Sequence, residues 1–295
     1  MDNEHQKMNA YLFVNPASGH HTAKRLTLSL ERLRISAIIP EVFKVRTPNE
    51  IYACCRTINK DNGPHLVIVA GGDGTFNAVV NSLEPGSATL AVLPFGTSNV
   101  LAAEIGIRNL DDALGRIATG KTQSLSVGLL EFEGRSLRFV LMAGIGLDGA
   151  VVRDVWPLAK KFLKQGAYAL SALSNAMTWD PAVLEIRSPE GDVTCHTAII
   201  CNASRYGGNF ILSPESSPFS PGLSAVCVTG NSRRTYLISI IDLFNGNIGT
   251  NNNMIQLHSS TFEVLGQRPI QIDGDFVGYG PARISELPDF ARIVV

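Results

Sequence analysis

Short apolar strands alternate with helical patterns over the first 124 residues, and this alternation restricts the fold more than any other feature of the chain. The strand-like runs lie at 11–14, 37–45, 65–70 and 89–93. Helical spacing of apolar residues is found at 22–33, 50–58, 76–83, from 98 onward and at 110–118. This alternation predicts an α/β domain over residues 1–124, with an open and mostly parallel sheet.

The pattern changes after residue 124, where strands dominate. They are predicted at 126–133, 138–143, 183–187, 193–202, 223–228, 261–265 and 269–273. Helical spacing returns at 157–177 and 232–245, and a segment with three prolines and four serines at 213–222 indicates a loop. We therefore expect a second, β-rich domain over residues 125–295, with a sandwich or barrel-like body.

Composition excludes several functional classes. The formal net charge of −1 gives no basic surface of the kind that nucleic acid requires. The chain has no run of 18 apolar residues, and its start is polar and mixed in charge before the first strand, so we expect neither a transmembrane segment nor a secretory signal. The five cysteines form no C-x-x-C pair, which favours buried thiols in a reducing cytoplasm.

Three turns of small residues follow strands of the first domain, and each leads into a predicted helix. They are Asn15-Pro16-Ala17-Ser18-Gly19, Gly71-Gly72-Asp73-Gly74-Thr75 and Pro94-Phe95-Gly96-Thr97-Ser98-Asn99. Glycine lets backbone N–H groups approach a phosphate, and the helix behind adds unpaired N–H groups and a positive dipole end. Because ligands of open α/β sheets bind beyond the carboxyl ends of the strands, the three turns could converge on one triphosphate.

Taken singly, the first and third turns fit a helix cap equally well. The second is too rich in glycine for a strand or a helix and predicts a special loop. An aspartate among phosphate-facing amides would repel the ligand, so Asp73 suggests an intervening Mg²⁺, which favours carboxylate and phosphate oxygens. The chain has no G-x-x-x-x-G-K-[ST] motif and no H-R-D or D-F-G, which excludes a P-loop and a protein kinase.

The wording and order of these turns resemble the signatures of the diacylglycerol kinase catalytic family, which includes soluble bacterial lipid kinases and sphingosine kinases. Further similar segments extend the resemblance over nearly the whole chain, at 143–148, 166–171, 201–208 and 272–275. The Gly-Gly-Asp-Gly-Thr segment is shared with NAD kinases, whereas the full set is more specific to lipid kinases.

The resemblance implies an α/β domain followed by a β-sandwich, with the active site in the cleft between them. It implies ATP and Mg²⁺ as cofactors and a diacylglycerol-like lipid alcohol as the substrate, reached from the cytoplasm at the inner membrane surface, in phospholipid metabolism. Asp273 is then the general base, with Asp73 also catalytic, and Asp73 and Asp275 are metal ligands. The nucleotide site is formed by Asn15, Ser18, Gly19, Gly71, Gly72, Gly74, Thr75, Thr97 and Asn99. The oligomeric state stays open, with a homodimer as one alternative.

Considered without the resemblance, Asp273-Gly274 after an apolar run is first a hairpin-turn signal. The two interpretations are compatible, because a turn can project a carboxylate that accepts the proton of a substrate hydroxyl.

The chain departs from the family at three places. Asp275 stands where a glutamate is common, Ala103 where an arginine is frequent, and Pro221 where an acid often helps to hold a structural Mg²⁺. Proline cannot be a side-chain ligand, so we do not expect that second metal site.

Two other segments carry weaker hypotheses. Residues 144–149 fit G-x-G-x-x-G, but no acid follows about 20 residues later, so we expect a turn rather than a dinucleotide site. Residues 156–164 mix lysines with apolar residues, which suits a membrane-surface helix or an amphipathic helix packed on the sandwich. Two alternative functions remain: a kinase of a soluble hydroxyl such as NAD, and a non-catalytic regulator that binds nucleotide or lipid.

Overall fold

The structure is a computed structural model that describes residues 8–61, 63–154, 183–208, 210–230, 232, 235, 238, 242 and 253–295. Its contacts divide the chain into two compact units, residues 1–125 with 288–295 and residues 126–287. The sequence predicts a single domain boundary, after residue 124, whereas in the structure the last eight residues of the chain belong to the first unit. The predicted helix at 157–177 lies outside the described residues, as does most of the one at 232–245.

The first unit has the predicted alternation of strands and helices. Its strands are β1 (Asn9–Val14), β2 (Glu41–Lys44), β3 (His65–Gly71) and β4 (Thr89–Pro94), and its helices are α1 (Ala23–Ile35), α2 (Pro48–Lys60), α3 (Asp73–Ser82), α4 (Val100–Glu104) and α5 (Leu110–Thr119). The strands are parallel in the order β2-β1-β3-β4. All seven residues of β3 are buried, as expected for a central strand covered on both faces. The predicted α/β fold with a mostly parallel sheet is confirmed.

The second unit contains the remaining elements. Two strands are shared with the first unit, β5 (Thr122–Phe132) and β18 (Ala282–Val294), and the others are β6 (Arg135–Phe139), β7 (Met142–Ile145), α6 (Leu147–Asp154), β8 (Leu184–Ser188), β9 (Gly191–Cys195), β10 (Thr197–Cys201), β11 (Arg205–Tyr206), β12 (Phe210–Ile211), β13 (Leu223–Val228), β14 (Met254–Ser259), β15 (Thr261–Leu265), β16 (Pro269–Ile272) and β17 (Asp275–Tyr279).

Antiparallel pairing makes this unit a β-sandwich, as predicted. One sheet has the order β14-β13-β10-β7-β16-β17. Opposite it, β15 pairs with β8 and with the first residues of β18, and β8 pairs with β9. Buried side chains of both layers form one apolar core, which includes Phe139, Ile145, Ile200, Phe262 and Ile270. Burial of this surface drives the two layers together.

Several strand predictions were wrong in their bounds. The predicted strand at 138–143 is two strands separated by Val140 and Leu141, whose N–H groups donate to the carboxylate of Asp273 instead of a neighbouring strand. The predicted strand at 37–45 is reduced to β2, since Ala37 has φ +59°, which a strand does not accommodate. All five cysteines are free thiols, and four of them are buried, as the sequence predicted.

Candidate functional site

The three small-residue turns lie together at the carboxyl ends of β1, β3 and β4. Backbone hydrogen bonds connect them: the N–H of His20 donates to the carbonyl of Phe95 at 2.8 Å, and the N–H groups of Phe95 and Gly96 donate to the carbonyl of Gly71 at 3.1 and 3.0 Å. Neighbouring parallel strands end at the same edge of a sheet, so the convergence follows from the strand order β1-β3-β4.

Glycine is required at position 96, where the third turn touches the second. A β-carbon at Gly96 would lie 2.4 Å from the α-carbon of Gly72, and one at Gly72 would lie 3.3 Å from the α-carbon of Gly96. A β-carbon at Gly19 would lie 2.3 Å from the hydroxyl oxygen of Thr97. These approaches bring the backbones of the turns closer than side chains would permit.

Two asparagines connect the turns through their side chains. Asn15 Nδ2 donates to the buried hydroxyl of Thr75 at 3.0 Å, while Asn15 Oδ1 accepts the N–H of Ala17 at 2.9 Å. Asn99 stands before α4 with φ +49°, and its Nδ2 donates to the carbonyl of Gly96 at 2.8 Å. Asn99 Oδ1 is buried and has no hydrogen-bond partner among the described residues. Buried acceptors are rarely left in this state, so a ligand or a water would satisfy it.

Backbone donors at these turns remain available. Within the described part of the chain, the N–H groups of Gly19, Gly74, Thr97 and Ser98 have no hydrogen-bond partner. Gly74 lies in the first turn of α3, where the helix dipole adds positive potential. Thr97 and Ser98 are exposed, and Ser18, next to Gly19 in the turn at 15–19, is half-buried. N–H groups of this kind, without side chains in the way, suit the oxygens of a phosphate chain.

Asp73 holds the second turn against α4. Its carboxylate accepts the N–H of Val100 at 3.0 Å and the N–H of Leu101 at 2.9 Å, so it caps that short helix from outside. Burial raises the pKa of Asp73 above its ordinary value, and the hydrogen bonds from Leu101 and Val100 act in the opposite direction. Each carboxylate oxygen has a second lone-pair site, so the donor set suits Mg²⁺, and a cation would offset the cost of burial.

Asp273 is fixed at the turn between β16 and β17, with φ +48°. Its carboxylate accepts three backbone N–H groups: Val140 donates to Oδ2 at 2.8 Å, and Leu141 and Met142 donate to Oδ1 at 2.9 and 3.0 Å. The predicted hairpin turn is therefore present, and the strand break at 140–141 directs the carboxylate. Asp275, the first residue of β17, is exposed.

The G-x-G-x-x-G segment at 144–149 does not form a phosphate loop. Its glycines make room for neighbouring atoms: a β-carbon at Gly144 would lie 1.6 Å from Oδ2 of Asp148, and one at Gly149 would lie 2.1 Å from the carbonyl oxygen of Pro269. Gly146 has φ +87°. The expectation of a turn rather than a dinucleotide site is consistent with this internal packing.

Two features were not predicted from the sequence: the partners of Asp148, and a cation near the turn at 15–19. Asp148 is buried between Tyr206 and Gln271, whose side chains both donate to its carboxylate. In the first turn of α1, Arg25 lies 5.0 Å over the ring of Phe95 and donates to the carbonyl of Pro94 at 3.3 Å. A cation in the first turn of a helix is unfavourable by itself, because that end of the helix is positive. The position of Arg25 was therefore a sign in the sequence that this side chain has a role.

The described residues contain no group of three or more His, Cys, Asp or Glu side chains arranged to hold a metal ion. Among the helices that are described, none is long and apolar enough to cross a membrane.

Both units match known families. Residues 9–130 match the diacylglycerol kinase catalytic domain, and residues 142–295 match the YegS C-terminal NAD kinase beta sandwich-like domain. The chain therefore belongs to the diacylglycerol kinase catalytic family, a family of phosphotransferases, and the resemblance given by its turns is confirmed.

Similar proteins extend over the length of the chain. A diacylglycerol kinase of Bacillus subtilis is 26% identical over 241 residues, which are 78% of this chain and 77% of that protein. A diacylglycerol kinase of Mycobacterium tuberculosis is 26% identical over 295 residues, 95% of this chain and 93% of that protein.

Solved structures show the same fold. A crystal structure of a diacylglycerol kinase from Bacillus anthracis has a TM-score of 0.72 at 15% identity, over 97% of this chain and 96% of that one. An NAD kinase from Archaeoglobus fulgidus in complex with ATP has a TM-score of 0.50 at 12% identity, over 97% of this chain and 93% of that one.

Proposed function

We propose that this protein transfers the γ-phosphoryl group of ATP to a hydroxyl of a diacylglycerol-like lipid. The observation that carries the proposal is the convergence of the three turns, where the N–H groups of Gly19, Gly74, Thr97 and Ser98 have no partner among the described residues. Both units of the chain match the family models given above. The relatives named above as diacylglycerol kinases support the lipid alcohol as acceptor.

The first unit binds the nucleotide in this proposal. The turn amides and the hydroxyls of Ser18, Thr75 and Thr97 hold the phosphate chain, with Asn15 and Asn99 setting the turns. The ATP-bound NAD kinase of similar fold supports ATP as the phosphoryl donor. Asp73 would hold Mg²⁺, which when bound neutralises charge on phosphate oxygens, and Asp275 stays a predicted metal ligand.

The second unit supplies the base. Asp273 accepts the proton of the lipid hydroxyl while that oxygen forms its bond to the γ-phosphorus and ADP leaves. The three N–H donors from residues 140–142 fix the direction of this carboxylate. They also hold Asp273 in its turn conformation, with φ +48°. Orientation of this kind lowers the barrier by holding the reacting groups in register.

The lipid is reached at the membrane surface. In this proposal the chain acts from the cytoplasm with transient contact to the inner membrane, since a lipid alcohol stays in the bilayer. Its place is then in phospholipid metabolism.

The test is a panel of acceptors. Purified protein is incubated with γ-labelled ATP and Mg²⁺, with diacylglycerol and other lipid alcohols in mixed micelles, and in parallel with NAD and sugars. We expect label in the organic phase, with diacylglycerol-like lipids labelled fastest. Label on NAD or a sugar alone would replace the lipid by a soluble acceptor. ATP binding without transfer to any acceptor would leave a regulator.

A further inference from the structure

A carboxylate next to the Asp273 turn is buried inside the second unit, and none of the described residues pairs a cation with it. Asp148, on α6, is 7% exposed. Its partners among the described residues are the hydroxyl of Tyr206, which donates to Oδ1, and Nε2 of Gln271, which donates to Oδ2 at 2.6 Å. Burial raises the pKa of Asp148, and the hydrogen bonds from Tyr206 and Gln271 only partly oppose this.

The hydrogen bonds at Gln271 have a fixed direction. The N–H of Gly274 donates to Oε1 of Gln271 at 2.8 Å, and a backbone N–H cannot accept. The side-chain amide of Gln271, which is 2% exposed, therefore points its nitrogen towards Asp148. It follows that Oδ2 of Asp148 is an acceptor, and that Asp148 and Gly274 together hold Gln271 in one orientation.

The bond from Gly274 to Gln271 closes the turn that carries Asp273. Asp273 and Gly274 have φ +48° and +88°, and the N–H of Asp273 donates to the carbonyl of Met142 at 3.0 Å. A non-glycine residue in this conformation is kept there by its surroundings. Gln271 lies on the strand before the turn and bonds the residue after Asp273, so it restrains Asp273 from both sides.

Two glycines leave room for this carboxylate where larger side chains could have packed. Gly144 leaves the space that Oδ2 of Asp148 fills, and Gly149 lets α6 approach β16. Replacing both partners of a buried hydrogen bond by apolar groups of the same shape can be nearly neutral or stabilising. Fold stability alone therefore does not account for Asp148 and Gln271, whereas a fixed turn at Asp273 does.

We propose that Gln271, oriented by Asp148, is a positioning residue that keeps the Asp273 carboxylate on the N–H groups of residues 140–142. The proposal rests on the proposed function in that Asp273 is the base. Asp148 and Gln271 act through Asp273 and touch neither substrate nor nucleotide.

The first test does not need activity. Amide hydrogen exchange of Gly274 and of residues 140–142 is followed by NMR in the wild type and in Gln271→Met, which keeps the length of the side chain and removes both hydrogen bonds. We expect these amides to exchange faster together, by at least about tenfold, as the turn opens locally. The matched control is Thr197→Val, which removes a buried hydrogen bond to the carbonyl of Ile145 in the same sheet and should leave these amides unchanged.

The second test exchanges the two polar groups. At a pH high enough to ionise both groups, Gln271→Glu sets two carboxylates against each other. The double variant Asp148→Asn/Gln271→Glu restores the direction of every hydrogen bond. In the double variant the amide nitrogen at 148 donates to the carboxylate at 271, which still accepts the N–H of Gly274. We expect Gln271→Glu and Gln271→Met to lower kcat by about 10²-fold with an unchanged KM for ATP. The double variant should recover most of the loss.

The outcomes separate the two proposals. Coupled exchange in Gln271→Met without phosphoryl transfer by the wild type would retain the positioning role and reject the kinase. Unchanged exchange at residues 140–142 in Gln271→Met would overturn the positioning role, whatever the activity. So would a double variant as slow as Gln271→Glu.

Discussion

Each unit has a glycine-rich turn with an aspartate after a buried strand, and the glycines serve different purposes in the two. In the first unit, Gly72 and Gly96 let two backbones touch. In the second, Gly144 makes room for the side chain of Asp148. The same residue type therefore brings two turns together in one unit and accommodates a buried polar network in the other, and the obstacle that a β-carbon would meet distinguishes them.

Gly96→Ala should have the largest effect on folding. The β-carbon would lie 2.4 Å from the α-carbon of Gly72, and backbone cannot rotate away. We expect a loss of free energy of unfolding at or above the upper end of the usual about 1–3 kcal/mol for overpacking. Urea unfolding measures it, with Gly72→Ala as the matched control, since that β-carbon would lie 3.3 Å from the nearest atom. Equal losses in the two variants would remove the argument from close approach.

Gly144→Ala should lower the free energy of unfolding, and a second substitution at Asp148 should recover part of the loss. Its β-carbon would meet the Asp148 carboxylate at 1.6 Å, and that obstacle is a side chain. We expect a loss of about 1–3 kcal/mol that is smaller in an Asp148→Ala background, with a coupling energy of about 1–2 kcal/mol in the cycle. Additive losses would show that the glycine serves something other than Asp148.

Thr75→Val tests the polar side chains of the first unit. The variant removes the hydroxyl that accepts from Asn15 and that we assign to phosphate. We expect a stability loss of about 1 kcal/mol and a rise in the Kd for ATP of about tenfold. Thr197→Val in the second unit should lose similar stability with an unchanged Kd, measured by calorimetry. A Kd unaffected in Thr75→Val would remove Thr75 from the nucleotide site.

The pH dependence of stability should be the smallest effect. Burial raises the pKa of Asp73 and of Asp148 above the ordinary value of 3.8. The native state then binds more protons than the unfolded state, so the free energy of unfolding falls as the pH rises from about 4 through the raised pKa values. We expect Asp73→Asn and Asp148→Asn each to reduce this fall in urea unfolding measured from acid to neutral pH. A variant with a steeper fall would contradict the assigned direction.

Elements with a strong local pattern could be predicted from the sequence. The strands Leu223–Val228 and Thr261–Leu265 have the bounds that the sequence predicted, because apolar residues end there at turn residues. The convergence of the three turns followed from the parallel sheet. The strand bounds depend on neighbours in the chain, and the convergence depends on the alternation of strands and helices.

Features set by distant residues could not be predicted. The break between β6 and β7 depends on a carboxylate more than 130 residues away, at Asp273. β14, β17 and β18 were missed, and the bond from Gln271 to Asp148 joins residues 123 apart in sequence. Neither spacing nor composition records such a bond.

One assay tests whether Asp273 acts as the base of a lipid kinase. Label transfer from γ-labelled ATP to diacylglycerol and the Kd for ATP are measured on the same preparations of wild type, Asp273→Asn and Asp289→Asn. Asp289 is the matched control, because it has φ +50° and its carboxylate also accepts a hydrogen bond, from Ser124. The account predicts that Asp273→Asn binds ATP normally and transfers label about 10²–10⁴-fold more slowly, with Asp289→Asn close to wild type. Transfer by Asp273→Asn at the wild-type rate would contradict it.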